Sequence, residues 1–151
     1  AATRSPTVFA TAAELRMEIV FDPSRLDFAR TSELLRATYW GGARTDKLNR
    51  RAFANSICAI ALVDGRQAGF ARASGDRTLF ARISDVIVWP EHRGRGIGKA
   101  LVAALLAHPE LRTVTTWTLN TSDAHGLYEA FGFRRSVDGN EMRLDRPGAG
   151  A

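Results

Sequence analysis

The sequence predicts an α/β fold, a sandwich in which helices flank a mixed, mostly antiparallel sheet. Three observations indicate this class. Some segments alternate apolar and polar residues in the manner of strands, and between them lie segments with the periodicity of helices. Asp64-Gly65 separates two apolar runs, which is a strong signal for an antiparallel hairpin. The apolar run 80–89 leads through a glycine-rich turn into an amphipathic helix, so a helix must pack beside the sheet.

The first half of the chain is predicted to contain a strand, two helices and two further strands, over residues 17–21, 26–38, 45–55, 57–63 and 67–74. Ser24 is a candidate cap for the first helix. The face that this helix buries consists of Phe28, Thr31, Leu35 and Thr38. The glycine pair at 41–42 breaks the chain before the second helix.

The second half is predicted to contain strands over 80–89 and 114–119 and a final hairpin of 133–137 with 141–144. The helix after the first of these strands ends before Pro109. Its buried stripe consists of Ile97, Ala100, Leu101, Ala104 and Leu105. A shorter helix over 124–131 follows a capping turn at 120–123 and is closed by Gly132.

Length and composition indicate one domain, since 151 residues can bury a sizeable core. We expect the domain to occupy residues 17–145, between a flexible extension at 1–16 and a flexible tail at 146–151. Cys58 is the only cysteine, so no disulfide framework exists, which favours a reducing, cytoplasmic compartment. No apolar segment is long enough to cross a membrane, and we expect no membrane partner.

The chain has a formal net charge of +5, which is compatible with nucleic-acid binding. The arginines are spread along the sequence, however, and do not form a tract interleaved with aromatic side chains. We therefore expect no nucleic-acid partner. The excess charge is interpreted as solvated surface, with a local part that binds phosphate.

Residues 93–99 alternate glycines with cations between a predicted strand and a predicted helix. Glycine lets the backbone approach a ligand closely, and the first turn of a helix offers unpaired N–H groups to an anion. The physical interpretation is a cradle for a diphosphate. A P-loop is excluded because its first glycine and its Ser or Thr are missing, and a dinucleotide fingerprint because the glycines are spaced differently. A purely structural turn is the remaining alternative.

Two motifs together carry a family resemblance. Arg93, Gly96 and Gly98 fit the pattern Arg/Gln-x-x-Gly-x-Gly/Ala, and residues 124–133 read Ala-x-x-x-Tyr-Glu-x-x-Gly-Phe. In this order and at this separation they resemble the acyl-CoA-binding motif and the tyrosine motif of the GNAT N-acetyltransferase superfamily, over roughly residues 17–144. One departure is Thr121, because the family commonly has Asn at that position and here Asn stands at 120.

The resemblance implies acetyl-CoA as the co-substrate and no metal. It also implies that the central strands are parallel neighbours that splay apart at one end, with the pantetheine arm along the open edge and the diphosphate on the backbone of the glycine-rich segment. The cofactor-binding residues are then Val86, Ile87, Val88, Arg93, Gly94, Arg95, Gly96, Ile97, Gly98, Lys99 and Thr121. An acceptor amine attacks the acyl carbonyl directly in a ternary complex, so most of the acceleration comes from positioning.

Two residues are candidates for proton transfer. The resemblance makes Tyr128 the general acid that protonates the departing CoA thiolate; core packing is its alternative role. Asp85 is the only acid in an apolar strand, so it either meets an arginine or a capping donor or faces the acceptor cavity as the general base. Strand alternation places Asp85 with Ile83 and Ile87, but a bulge would turn it toward the acceptor.

Tyr39 and Trp40 are candidates for the acceptor wall or a mobile lid, with packing over the core as the alternative. The predicted function is acetyl-CoA-dependent transfer of an acetyl group to the amine of a small molecule or a peptide. The alternative is a sensor that binds acyl-CoA without turnover. A homodimer is compatible with the sequence.

Overall fold

The computed structural model describes residues 16–136 and 139–149. The expected N-terminal extension before residue 16, residues 137–138 of the final hairpin and the end of the tail lie outside the described residues. Within the tail, the backbone N–H groups of Arg146 and Ala149 donate to the carbonyls of Thr115 and Arg112. No helix in the part of the chain so described is both long and apolar enough to cross a bilayer.

Seven strands and four α-helices form the fold of these residues. In chain order they are β1 (Met17–Val20), α1 (Phe28–Arg36), α2 (Asp46–Ala54), β2 (Ile57–Val63), β3 (Arg66–Gly75), β4 (Phe80–Val88), α3 (Ile97–Leu106), β5 (Thr116–Asn120), α4 (His125–Glu129), β6 (Arg134–Arg135) and β7 (Glu141–Asp145). The strands lie in the order β1-β2-β3-β4-β5-β7-β6. Every pairing is antiparallel except that of β4 with β5, which confirms the predicted mixed, mostly antiparallel sheet.

The sheet separates two apolar cores. One core contains the buried face of α3 with Leu101 and Leu105, and it extends to Trp117 of β5 and to Tyr128 of α4. The other core lies under α1 and α2 and consists of Leu35, Phe53, Ile60, Leu62, Phe70, Ile87 and Trp89. Burial of these side chains holds the helices on the sheet, because each fully buried large apolar side chain contributes about 1.5–3 kcal/mol. The sandwich predicted from the alternating elements is confirmed.

The start of α1 differs from the prediction. The helix begins at Phe28, and the carboxylate of Asp27 caps it by accepting from the N–H of Arg30 at 3.1 Å. The expected cap, Ser24, lies instead in a separate short turn, where its N–H donates to Asp22. Pro23 opens that turn, since its ring fixes φ at a helical value, and the chain must extend again before α1 can start. The prediction of Ser24 as cap is therefore wrong.

The hairpin between β2 and β3 is confirmed at Asp64-Gly65. Both residues have positive φ, 50° and 83°, as the two central positions of a type I′ turn require. This turn sets β2 and β3 in antiparallel register over almost their full length. The pairing brings β3, and β4 beside it, to the centre of the sheet.

Strand β4 contains a bulge at Asp85. Phe70 of β3 pairs with Ile87 of β4, and Arg72 of β3 pairs with Ser84 of β4. These pairs lie two residues apart on β3 but three residues apart on β4, so β4 has one extra residue. Asp85 takes this position with φ of 57°. Because the bulge resets the alternation, Ile83 belongs to the core beside α3 and Ile87 to the core beside α1 and α2. The expectation that Asp85 shares a face with both isoleucines is wrong for this reason, and the bulge named as its alternative is present.

The two parallel strands separate after a short common stretch. Phe80, Ala81 and Arg82 of β4 pair with Thr116, Trp117 and Thr118 of β5. Beyond that point β4 continues to Val88 and β5 to Asn120 without further pairing between them. The predicted splay of the central strands is present, and it opens a gap in the middle of the sheet.

Candidate active site

The separation of β4 and β5 leaves an open cleft of about 510 Å³. Its walls come from the loop between α1 and α2, from β3 and β4, from the end of β5 and from α4 with the loop before it. Six residues that sequence analysis singled out line this cleft: Tyr39, Trp40, Asp85, Val86, Thr121 and Tyr128. The fold thus brings together residues that lie up to 89 positions apart in the chain.

The glycine-rich segment forms the turn between β4 and α3, beyond the end of the cleft. Gly94 and Gly96 both have φ of +81°, a left-handed conformation that favours glycine, and a Cβ atom added at either would meet nothing within 4 Å. Gly96 is the N-cap of α3, and no side chain caps the helix. The first N–H groups of α3 therefore have neither an intrahelical partner nor a side-chain cap, as an anion site requires.

The cations of this segment are exposed. Arg95 and Lys99 have no ion pair among the residues that the structure describes. Arg93 is also exposed, and its Nε donates to the carbonyl of Val88 at 3.3 Å, which anchors its guanidinium beside the end of β4. Positive charge and open N–H groups therefore coincide at this corner.

The predicted pantetheine segment has an open backbone edge but mixed side-chain directions. Val86 and Val88 are partly buried against the core beside α3, whereas Ile87 is buried in the opposite core. Ile97 is buried as well, with 2% of its surface exposed. Ile87 and Ile97 can therefore reach a ligand only through their backbone atoms.

Tyr128 of α4 lines the cleft. The side chain is buried and packs edge-on against Phe133, with the ring centroids 6.1 Å apart. Its hydroxyl has no hydrogen-bond partner within residues 16–136 and 139–149, so it is free to contact a ligand. Burial, helped by the charge of Asp123, raises the pKa of Tyr128 to about 12. The hydroxyl therefore keeps its proton throughout the neutral range.

The turn before α4 orders the far wall. The hydroxyl of Thr121 accepts from the N–H of Ala124 at 3.0 Å, and its own N–H donates to the carbonyl of Asn140 at 2.9 Å. His125 hydrogen-bonds the carbonyl of Gly139 at 2.5 Å through Nε2 and ties α4 to the hairpin of β6 and β7. Thr121 and His125 thus hold the wall in place.

Asp85 pairs with two arginines at the floor of the cleft. Its carboxylate accepts two hydrogen bonds from Arg44, at 2.8 and 3.0 Å, and a third from Nε of Arg72 at 2.7 Å. Only 3% of the Asp85 side chain is exposed. Burial by itself raises the pKa of Asp85, but hydrogen bonds and charge from the arginines outweigh it and hold the pKa below 3.8. Asp85 therefore both meets arginines and lines the cavity, the two alternatives left open by the sequence.

Tyr39 and Trp40 stand at the mouth of the cleft. Both are exposed, and their rings meet edge-on at 5.0 Å between centroids. The hydroxyl of Tyr39 hydrogen-bonds the hydroxyl of Ser122, on the loop between β5 and α4. This contact, here called the Tyr39–Ser122 bridge, joins the two loops that face each other across the cleft. The alternative of packing over the core does not apply to Tyr39, which is 73% exposed.

Sequence reasoning did not single out Arg44, Arg72 and Arg82 as cleft residues. A signal existed for Arg72, because it is the one charge within an apolar stretch of β3, just as Asp85 is within β4. Isolated opposite charges in paired strands are expected to meet, since each alone would be buried without a partner. Arg44 lies in an irregular loop, where no periodicity points to a partner.

Comparisons with known proteins agree with this architecture. A family model described as an acetyltransferase (GNAT) domain matches residues 54–135, more than half of the chain. A crystal structure from Xanthomonas campestris pv. campestris, described as belonging to the GNAT family, is 42% identical, has a TM-score of 0.77 and covers 81% of this chain and 87% of that one. The Salmonella typhimurium protein yncA, solved with acetyl-CoA, shares the fold at 20% identity and a TM-score of 0.69, covering 90% and 97% of the two chains.

The curated relatives are longer. An uncharacterised N-acetyltransferase of Pyropia yezoensis, ycf52, is 33% identical over 94 residues, which are 58% of this chain and 54% of that protein. The chain spans about half the length of the curated relatives that it matches. The family match, the splayed parallel strands and the glycine-rich turn before α3 agree with one another. The chain belongs to the GNAT acetyltransferase family.

Proposed function

We propose that this protein transfers the acetyl group of acetyl-CoA to the amine of a small molecule, by direct attack while both substrates are bound. The single observation that carries the proposal is the cleft itself. It opens where β4 and β5 separate, and it is lined both by residues 83–86 of the unpaired edge of β4 and by Tyr128.

The residues at the end of β4 fit the diphosphate of acetyl-CoA. The left-handed glycines leave the backbone uncovered, because any side chain at Gly94 or Gly96 would occupy the space in front of the loop and strain φ. The uncapped start of α3 supplies N–H donors, and Arg95 and Lys99, which form no ion pair within the described ranges, supply charge. Val86 and Val88 would hold the pantetheine arm through their backbone groups on the open edge of β4.

Acetyl-CoA supplies an activated acyl group, and the protein supplies position and a proton. The walls of the cleft hold the acceptor nitrogen near the acyl carbon, which is worth most of the acceleration in a reaction of this kind. Tyr128 donates its proton to the sulfur as the C–S bond breaks and the C–N bond forms, and it regains a proton from solvent. The nitrogen loses its proton to solvent. Because the pKa of Tyr128 is about 12, the acid form is present at every physiological pH.

A role of Asp85 as general base stays a prediction. Its pKa is lowered and both of its oxygens accept from arginines, so the carboxylate is a weaker base than a free one. We propose that its main part is to position Arg44 and Arg72 at the floor of the cleft. An amine that arrives already neutral needs no base from the protein.

Thiol release from acetyl-CoA tests the proposed function. We expect release that depends on an added primary amine and a product whose mass has increased by one acetyl group. Affinity for acetyl-CoA should fall with added salt, because exposed cations meet phosphates. If acetyl-CoA binds tightly while a broad panel of amines gives no acetylated product, the protein is a sensor rather than an enzyme.

A further inference from the structure

The cleft of the proposed reaction is positively charged, although its substrate is an amine. Arg44, Arg72 and Arg82 line it, against Asp85 on the floor and Asp123 at the rim. The floor carboxylate is already bound by two of these arginines at 2.7 to 3.0 Å. A cationic amine that enters the cleft therefore finds no free carboxylate on the floor, and it meets an excess of guanidinium groups instead.

Some guanidinium donors on this floor have no partner among the described residues. Arg82 lies where β4 and β5 separate, and in the part of the chain that the structure describes it has no carboxylate partner. Arg82 instead contacts a neutral group, the side-chain amide of Asn120. In the amide orientation that gives both the oxygen and the nitrogen of Asn120 a partner, the oxygen accepts from Nη2 of Arg82 at 2.9 Å. Arg72 uses Nε for Asp85 and Nη1 for Ser56, which leaves Nη2 available.

We propose that the acceptor is an amine that also carries a carboxylate, and that Arg82, with the unused Nη2 of Arg72, binds this carboxylate. The inference rests on the proposed acetyl transfer and names the class of its substrate. Arg44 already binds one carboxylate, that of Asp85, through two parallel hydrogen bonds, which is the geometry that guanidinium groups favour. Three arginines against Asp85 and Asp123 leave the cleft as a whole with one positive charge in excess, and a carboxylate bound to Arg82 would neutralise it.

The carboxylate also explains why the protein does not need acidic residues to attract the amine. Fixed guanidinium donors bind the carboxylate of the acceptor, and this contact directs the amine nitrogen toward Tyr128. The protein then needs no acidic side chain beside the nitrogen, where a negative charge would keep the amine protonated. An acidic floor would stabilise the ammonium form, which cannot attack. The arginines of this cleft favour the neutral amine.

Matched pairs of acceptors test the proposal. The probes are glycine, alanine, phenylalanine and glutamate, each compared with its α-carboxamide, with ethanolamine and a diamine as acceptors without carboxylate. Rates are measured at several pH values, because the amide has the more acidic ammonium group. We expect kcat/KM for the better free acids to exceed that of their amides by about tenfold or more, the effect of one lost charge-assisted hydrogen bond.

A variant locates the effect. Arg82→Gln removes the charge of the guanidinium that has no carboxylate partner and keeps a donor for Asn120 within reach. It should raise KM for the acid about tenfold and leave the amide within about twofold. Arg66→Gln is the matched control, since Arg66 is exposed at the start of β3 and outside the cleft, and it should change neither substrate.

The outcomes separate the two proposals. Acetylation of amides, ethanolamine or the diamine at rates equal to or above those of the acids confirms the proposed acetyl transfer. The same result overturns the proposal that the acceptor is bound through a carboxylate. If no amine is acetylated, calorimetry on the CoA-bound protein with each N-acetyl amino acid and its amide decides: binding of the acids alone supports the carboxylate site, and equal binding or none overturns it. Should Arg82→Gln fail to fold, the comparison of acids with amides in the parent protein still decides.

Discussion

Tyr128 shows how burial prepares a single side chain for acid catalysis. Its ring is fixed against Phe133, while its hydroxyl has no partner within the described residues and its pKa is raised to about 12. The aromatic ring contributes to the core whether or not the oxygen is present. The hydroxyl is thus the part of this residue that the fold does not require.

Tyr128→Phe is therefore expected to lower kcat by about 10²–10⁴-fold and to leave both acetyl-CoA affinity and melting temperature nearly unchanged. Steady-state kinetics, calorimetric titration and thermal unfolding of the same preparation measure these quantities. The parent should also show no loss of rate from ionisation of Tyr128 below about pH 10, since its pKa is about 12. Turnover within a few-fold of the parent would assign the proton to water and leave Tyr128 a packing residue.

Asp85 makes the opposite contribution, because its charge matters to the fold. Asp85→Asn leaves two partly buried guanidinium groups without a carboxylate, and we expect a loss of about 3 kcal/mol in the free energy of unfolding. Since the pKa of Asp85 is held below 3.8, its contribution is fully present above that value and disappears as pH falls through the lower, folded-state pKa. The difference between parent and variant should be constant from about pH 5 to 8 and shrink below about pH 4.

Denaturant unfolding at each pH measures this difference, and Asp145→Asn provides the control. Asp145 also pairs with arginines, Arg143 and Arg134, but its side chain is 44% exposed, so the same substitution should cost much less stability than Asp85→Asn. A variant Asp85→Asn that kept its stability and instead lost kcat/KM mainly at low pH would show that Asp85 acts as the base.

Among the elements, the turn between β4 and α3 depends on two left-handed glycines. Gly96→Val forces a β-branched residue into φ of +81° and places methyl groups where the diphosphate is proposed to lie. We expect loss of about 1–3 kcal/mol of stability from the backbone, together with a clear fall in acetyl-CoA affinity.

Gly65→Val separates these two effects. Gly65 has φ of +83° in the β2–β3 turn, with nothing within 4 Å of an added Cβ, so its backbone strain matches that at Gly96. Gly65→Val should lose a similar amount of stability, measured by scanning calorimetry, and should bind acetyl-CoA as tightly as the parent does, measured by titration calorimetry. Equal affinity of the two variants would overturn the cradle.

Elements that depend on local patterns could be predicted from the sequence. The limits of β2 were anticipated to the residue, and the helix predicted over 45–55 is α2, which lies one residue inside those limits at each end. Ser24 was mistaken for the cap of α1 because two capping residues, Ser24 and Asp27, stand close together and only the turn fixed by Pro23 decides between them. The resemblance supplied the splay of β4 and β5, which no single strand could reveal.

The candidate site was predictable only where its residues belong to a motif. The glycines and Tyr128 sit in such motifs, whereas Arg44 and Arg82 reach the cleft through tertiary structure alone. The sequence allowed a bulge at Asp85 as an alternative to regular alternation. Only the register of β4 with β3 shows that the bulge directs Ile83 and Ile87 to opposite cores. Contacts between distant elements are not encoded in local periodicity, so the charge of the floor stayed hidden.

At the scale of the whole molecule, the cleft is spanned by two loops that lie far apart in sequence. The Tyr39–Ser122 bridge links the α1–α2 loop with the β5–α4 loop, and so connects the two sides of the opened sheet. If the bridge restrains the mouth, Tyr39→Phe should raise KM for the acceptor several-fold and leave acetyl-CoA affinity unchanged.

Ser122→Ala should have the same effect, and the double variant should be no worse than either single one, because both remove one contact. Initial-rate kinetics with each substrate varied in turn measure these changes. Additive effects of the two substitutions would show that the side chains act separately and that no bridge operates in solution.

The bulge in β4 also determines which sequence changes this lineage can tolerate. The residues before Asp85 serve one core and those after it serve the other, so the strand changes its inward face at a single inserted position. Replacing Asp85 removes a charge, but deleting it would turn Ile87 and Trp89 away from the core that they fill. Asp85→Asn removes the charge but keeps the register of the strand, so a one-residue deletion at position 85 should be selected against more strongly than this substitution.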